Sequence, residues 1–154
     1  MRRIALVAGA GLALLGLVGA PTAASGNSDD EPDRTTLRVV QRAPEAAFVD
    51  LGDAGPTPGD VLVFRSELFD RTNTRPVGDL NITCTQGIGP ENICRGIFTL
   101  TGRGRISVDA LPIFPEPTVG TVNGGTGRFQ LSRGEAHIEP RADGTTLITF
   151  HLFD

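Results

Sequence analysis

Apolar and polar residues alternate through most of the chain beyond residue 35, and this period of two is incompatible with a helical domain. In VLVFRSELF, residues 61–69, Leu62, Phe64, Ser66 and Leu68 fall on one face, while Val61, Val63, Arg65, Glu67 and Phe69 fall on the other. Strand side chains point alternately to the two sides of a sheet, whereas a helix repeats every 3.6 residues. No long segment after the first 24 residues carries the helical repeat, so the domain is mostly β.

Glycine, proline, asparagine and aspartate cut the alternation into candidate strands at residues 36–43, 47–51, 60–70, 77–86, 94–101, 104–111, 119–123, 128–139 and 145–153. GDAGPTPG and PIFPEP are expected loops, because proline has no N–H to give a ladder. In the last two strands Ala136 and Ile138 alternate with Glu135 and His137, and Ile148, Phe150 and Leu152 with Thr149 and His151. Facing residues of an antiparallel pair point the same way. A loop of Ala142, Asp143 and Gly144, with Gly144 left-handed, therefore sets His137 opposite Thr149 and Glu135 opposite His151.

The chain begins with two arginines, then an unbroken apolar run from Ile4 to Ala20, then small residues. That is the layout of a secretory signal peptide, expected over residues 1–24 with cleavage near Ala24 and a secreted product. The rival reading is a membrane anchor. A span needs roughly 20 apolar residues and a basic cluster behind it; this run is at the short edge and no such cluster follows. Residues 25–35, SGNSDDEPDRT, read as an acidic, disordered leader, which leaves 36–154 as one domain with one core.

Subtracting Arg2 and Arg3 from 14 basic residues leaves 12 against 18 acidic ones. This balance argues against nucleic acid as partner, and against a membrane once the signal is removed. Lysine is absent, so Arg103, Arg105, Arg128, Arg133 and Arg141 read as general surface cations. Cys84 and Cys94 are the only cysteines and sit at the inner ends of two adjacent strands. In an exported protein they form a disulfide by default; a free buried or reactive thiol is the alternative.

GDVLVFRSELFD, PVGDLNITC, GRGRISVDAL and NGGTGRFQLSRGEA occur in this order between Gly59 and the C-terminus. Together they resemble the strand motifs of the allene oxide cyclase and dirigent barrels. The resemblance implies an all-β, eight-stranded antiparallel closed barrel with a central cavity, assembled as a dimer or trimer. It also gives Gly124, Gly125 and Gly127 a structural role, as a turn after which Phe129 and Leu131 resume the barrel wall. A phosphate-cradling glycine loop would instead lead into a helix bearing Lys and Ser/Thr.

In the cyclases a glutamate and an asparagine on the first strand, a second asparagine, a cysteine and a tyrosine line the cavity. Here Phe64 is kept and Cys84 falls on the cysteine, but the other positions hold Gln41, Ala43 and Ser66, and tyrosine is absent. Against the dirigent pattern, Arg65 and Ser66 replace an acidic pair. The resemblance thus implies the scaffold without the known active sites. It leaves Gln41 and Ser66 as candidate catalytic groups. The implied cavity lining is Phe64, Leu80, Ile82, Cys84, Phe98, Ile106, Val108 and Phe150.

The expected function is an exported barrel that binds a small apolar molecule and steers its cyclisation or coupling, an isomerase-type activity needing no cofactor. The alternative is a non-catalytic carrier or interaction barrel, because side chains can fill an eight-stranded interior. Glu135, His137 and His151 form the one His/carboxylate cluster that the pairing brings together. It lies on the outer face, where a solvated ion pair is the simpler reading, so no metal is expected. The chain has no Gly-x-Ser-x-Gly turn of a serine hydrolase.

Overall fold

The computed structural model describes residues 34–153. The expected signal peptide, and all but the last two residues of the expected leader, lie outside them. The alternating segments pair in sequence order as β1 (Arg34–Val49), β2 (Val61–Asp70), β3 (Pro76–Gln86), β4 (Asn92–Leu100), β5 (Gly104–Ala110), β6 (Thr118–Gly125), β7 (Arg133–Pro140) and β8 (Thr146–Phe153). Each strand is antiparallel to the next, and β1 also pairs with β8, which closes the barrel. Closure leaves no long free sheet edge, so the sheet needs no covering helices.

Two expected elements are drawn differently. Segments 36–43 and 47–51 are one strand, β1, whose register with β2 shifts between Arg42 and Glu45. Pro44 lies in that shift, and a bulge is one of the few places where a strand tolerates proline. Residues Arg34 to Gln41 pair with β8, while Glu45 to Val49 continue with β2 alone and overhang one end of the barrel.

The second difference is at 128–139. Gly127–Phe129 is a 3-10 turn, and β7 begins only at Arg133. Phe129 folds inward and is 3% exposed, whereas Leu131 is 70% exposed and does not join the wall as expected. The left-handed Gly127, with φ of 63°, starts a compact cap instead of a continuing strand. The C-terminal hairpin follows the parity argument: Glu135 faces His151, His137 faces Thr149, and Gly144 has φ of 78°.

Burial inside the barrel is uneven along its axis. Leu68, Leu80, Ile106, Ile148 and Phe150 are each at most 1% exposed and fill one half, with Phe98, 2% exposed, at its boundary with the cavity. The Phe98 and Phe150 rings meet edge to face at 5.0 Å. Each such side chain contributes about 1.5–3 kcal/mol through removal from water. Cys84 and Cys94 face each other directly across β3 and β4 and are joined by a disulfide. Closing so short a loop contributes about 2–3 kcal/mol on chain-entropy grounds.

Two carboxylates fix the connections around β2. Buried Asp60 accepts hydrogen bonds from the backbone N–H of Leu51 at 2.7 Å and of Thr57 at 2.6 Å, which ties the preceding loop to the strand. These N–H donors hold its carboxyl below the ordinary range. Asp70 accepts from Thr74 N–H at 3.0 Å and the Thr72 hydroxyl at 2.8 Å, and its carboxyl is lowered to about 2. The β2–β3 turn therefore keeps its charged acceptor at neutral pH.

Candidate functional site

The half of the barrel beneath the β1–β2 overhang is open. A cavity of about 470 Å3 enters it, with Leu62 and Phe64 of β2, Ile82 and Cys84 of β3, and Gly96 and Phe98 of β4 on its walls. Val108 and Ile138 complete the far side. These residues share the inward parity of their strands, so the alternation in the sequence is what makes the wall apolar. Glycine at position 96 leaves room on one wall: a methyl group there would come within 3.3 Å of the Phe98 ring.

The β5–β6 loop forms part of the rim. Pro112, Phe114, Pro115 and Glu116 line the mouth, and the Phe114 ring packs against Phe64 at 5.9 Å with planes 63° apart. Phe114 is itself 51% exposed. Pro44, Pro140 and Thr146 lie on the opposite rim. Polar groups on the lining are few: the Gln41 amide, Glu116, Thr118 and Thr146.

Gln41 lies opposite Leu68 in register and therefore points inward, just before the bulge. Its Nε2 donates to the Ser66 hydroxyl at 2.8 Å. Ser66 is 5% exposed and stands behind Gln41, away from the cavity surface. The two candidate catalytic residues are thus one unit, in which serine fixes the amide. A second amide N–H and a carbonyl oxygen belong to the same group and are the chemistry with which it can meet a ligand.

The expected lining divides between the two halves of the barrel. Phe64, Ile82, Cys84, Phe98 and Val108 line the cavity, whereas Leu80, Ile106 and Phe150 lie in the filled half below it. Sequence reasoning passed over Leu62 and Ile138, although both have inward parity. It also passed over the mouth loop, whose mix of Ile, Phe and Pro is unusually apolar for a solvent-exposed connection. Glu116 of that loop is the only ionisable side chain on the lining.

Glu135, His137 and His151 sit together on the outer wall. His137 Nε2 is 3.1 Å from Glu135 Oε2, and the two imidazole rings meet edge to face at 5.0 Å. Among the described residues no group of three His, Cys, Asp or Glu side chains is arranged to hold a metal ion.

No family model matches the sequence, and no curated protein does. Solved structures do match. The pterocarpan synthase dirigent protein superposes with a TM-score of 0.59 at 15% identity, over 90% of this chain and 97% of that one. The chain has the dirigent-type barrel fold. A pyocyanin demethylase superposes on this dirigent-type barrel with a TM-score of 0.68 at 24% identity, over 77% of this chain and 99% of the other. A Diels–Alderase from Streptomyces koyangensis does so with a TM-score of 0.59 at 15% identity, over 80% and 70%.

Proposed function

We propose that this dirigent-type barrel is exported, takes a small apolar molecule into its open half and steers that molecule's cyclisation or coupling. The observation that carries the reading is the cavity of about 470 Å3 standing above a filled core. Its volume lies in the range of small-molecule sites, and its few polar groups suit orientation more than charge stabilisation. The pterocarpan synthase and the Diels–Alderase, by their names, build small organic products. The Cys84–Cys94 disulfide supports an oxidising destination.

Below Glu116 at the mouth the walls carry no acid or base, so lowering of the barrier comes from holding one folded conformer of the substrate. Such ordering is worth several kcal/mol when reacting atoms are brought into near-attack geometry. Gln41 orients a carbonyl or hydroxyl of the substrate, Ser66 holds the amide in place, and Phe114 with Phe64 limits water entry. A cyclase- or isomerase-type reaction of this kind needs no cofactor.

The test is turnover of polyketide- and terpene-type precursors, followed by mass spectrometry of the product. Gln41→Ala abolishes product formation, and Ser66→Ala lowers kcat with a smaller change in KM, because the amide loses its anchor. Unchanged turnover in both variants would reject the assignment. A second reading, a non-catalytic carrier, is favoured by the lack of any ionisable group on the walls below Glu116. A carrier returns its ligand unaltered, and the same mass spectra separate the two. The dimer or trimer implied by the resemblance is read by light scattering of the purified protein.

A further inference from the structure

The arginines of this barrel are not spread evenly. Arg38 from β1, Arg71 and Arg75 from the β2–β3 turn, and Arg103 from the β4–β5 turn line one depression of about 540 Å3. It lies at the end of the barrel away from the cavity mouth, which is built from the β5–β6 loop and the residues flanking the β7–β8 turn. The sequence alone groups Arg103 with later arginines; folding joins it instead to three from the first half of the domain.

Two arginines elsewhere in the barrel have side-chain partners that account for them, and within the depression Arg103 lies over the Phe129 ring at 5.3 Å. Arg95 forms two hydrogen bonds to Asp109, at 2.8 and 3.1 Å, and Arg42 stacks on Phe69 while bonding Asn73. In the depression the one carboxylate is Asp70, and it is already committed to Thr72 and Thr74 of its own turn. Its nearest approach to Arg75 is 4.0 Å. Among the described residues, neither Arg38 nor Arg71 meets a carboxylate at ion-pair distance. Four arginines around one carboxylate leave an excess of positive charge, and a bound anion relieves the repulsion among them.

We infer that this depression is a second binding site, specific for a phosphate group. A phosphate offers three terminal oxygens and up to two negative charges, which suits several guanidinium forks; a carboxylate has only two oxygens to share among them. The Thr36 and Thr101 residues add hydroxyls at the edge, and Leu37 and Val77 give an apolar floor on which an organic substituent of the phosphate rests. The phosphate is carried either by a soluble metabolite or by a lipid headgroup.

Two probes distinguish these sources. The first is calorimetric titration of the full protein with inorganic pyrophosphate at low ionic strength. The second is co-sedimentation with phosphatidylcholine vesicles containing phosphatidic acid, whose phosphate is a monoester with three terminal oxygens, with pure phosphatidylcholine vesicles as control. Arg38 and Arg71 are exposed, so Arg38→Gln and Arg71→Gln leave the melting temperature unchanged. Each weakens binding about tenfold, as expected for loss of a charge-assisted contact, while Arg141→Gln, at the opposite end, has no effect. Pyrophosphate binding that follows this pattern marks a soluble ligand. Vesicle binding alone with the same pattern marks a lipid-borne one. Binding of neither probe, or equal weakening by Arg141→Gln, overturns the site.

Discussion

Gly125→Ala lowers the melting temperature by about 10 °C. Gly125 ends β6 opposite Ile106 of β5, and a Cβ placed on it overlaps the Arg105 carbonyl oxygen and stands 3.1 Å from Phe129 Cβ. That carbonyl has little freedom to move, because it accepts the Thr126 N–H at 2.9 Å and belongs to a strand paired on both sides. Accommodating the methyl group breaks this bond or parts β5 from β6. Overpacking and lost backbone bonding of this kind cost about 3 kcal/mol, and for a domain of this size each kcal/mol is worth about 3–4 °C. Gly144→Ala provides the contrast. Its φ of 78° is strained for alanine but nothing lies within 4 Å, so it costs only about 1 kcal/mol. Calorimetric melting of both variants checks the pair, and a Gly125→Ala protein melting within about 2 °C of the parent, on the same scale, contradicts the close approach of β6 to β5.

Ala110→Phe has its effect on binding instead. Ala110 lies at the end of β5, beside Cys94, and its methyl group faces the cavity. A phenyl ring there occupies the space that a ligand takes up, without displacing the filled half. Affinity for the neutral apolar dye N-phenyl-1-naphthylamine falls by at least about tenfold, while the melting temperature holds or rises slightly, as cavity-filling changes do. Phe150→Ala reverses this pattern: it removes a fully buried ring from the core and costs about 3–5 kcal/mol. Dye binding that survives Ala110→Phe undiminished would mean that the cavity is not where small molecules bind.

The parts of this barrel that follow from periodicity were legible in the sequence. Parity and the loop length placed Glu135 opposite His151 and grouped Phe64 with Leu62, Ser66 and Leu68 on one face; that Phe64, Cys84 and Phe98 face inward was implied by the resemblance to the barrel family. What parity does not carry is depth along the axis. Leu80 and Phe64 are both inward, yet one is core and the other is cavity wall, a difference set by where the β5–β6 loop folds and where β1 overhangs. Pro44 read as a break because the bulge that accommodates it requires β2 alongside. Leu131 read as wall because its alternation is intact; the 3-10 turn that expels it depends on Gly127 adopting a left-handed conformation that the spacing does not encode. Glu116 was hidden in a loop whose apolar residues were the only sign that it packs against something.

The central claim, an open apolar cavity above a filled core, is tested most directly by diffraction from crystals held under xenon pressure, since xenon enters apolar cavities without needing a cognate ligand. The account predicts a xenon atom among Phe64, Phe98 and Val108 beneath the Phe114 ring, and none beside Phe150. Side chains filling that space, with xenon absent from it, would contradict the account.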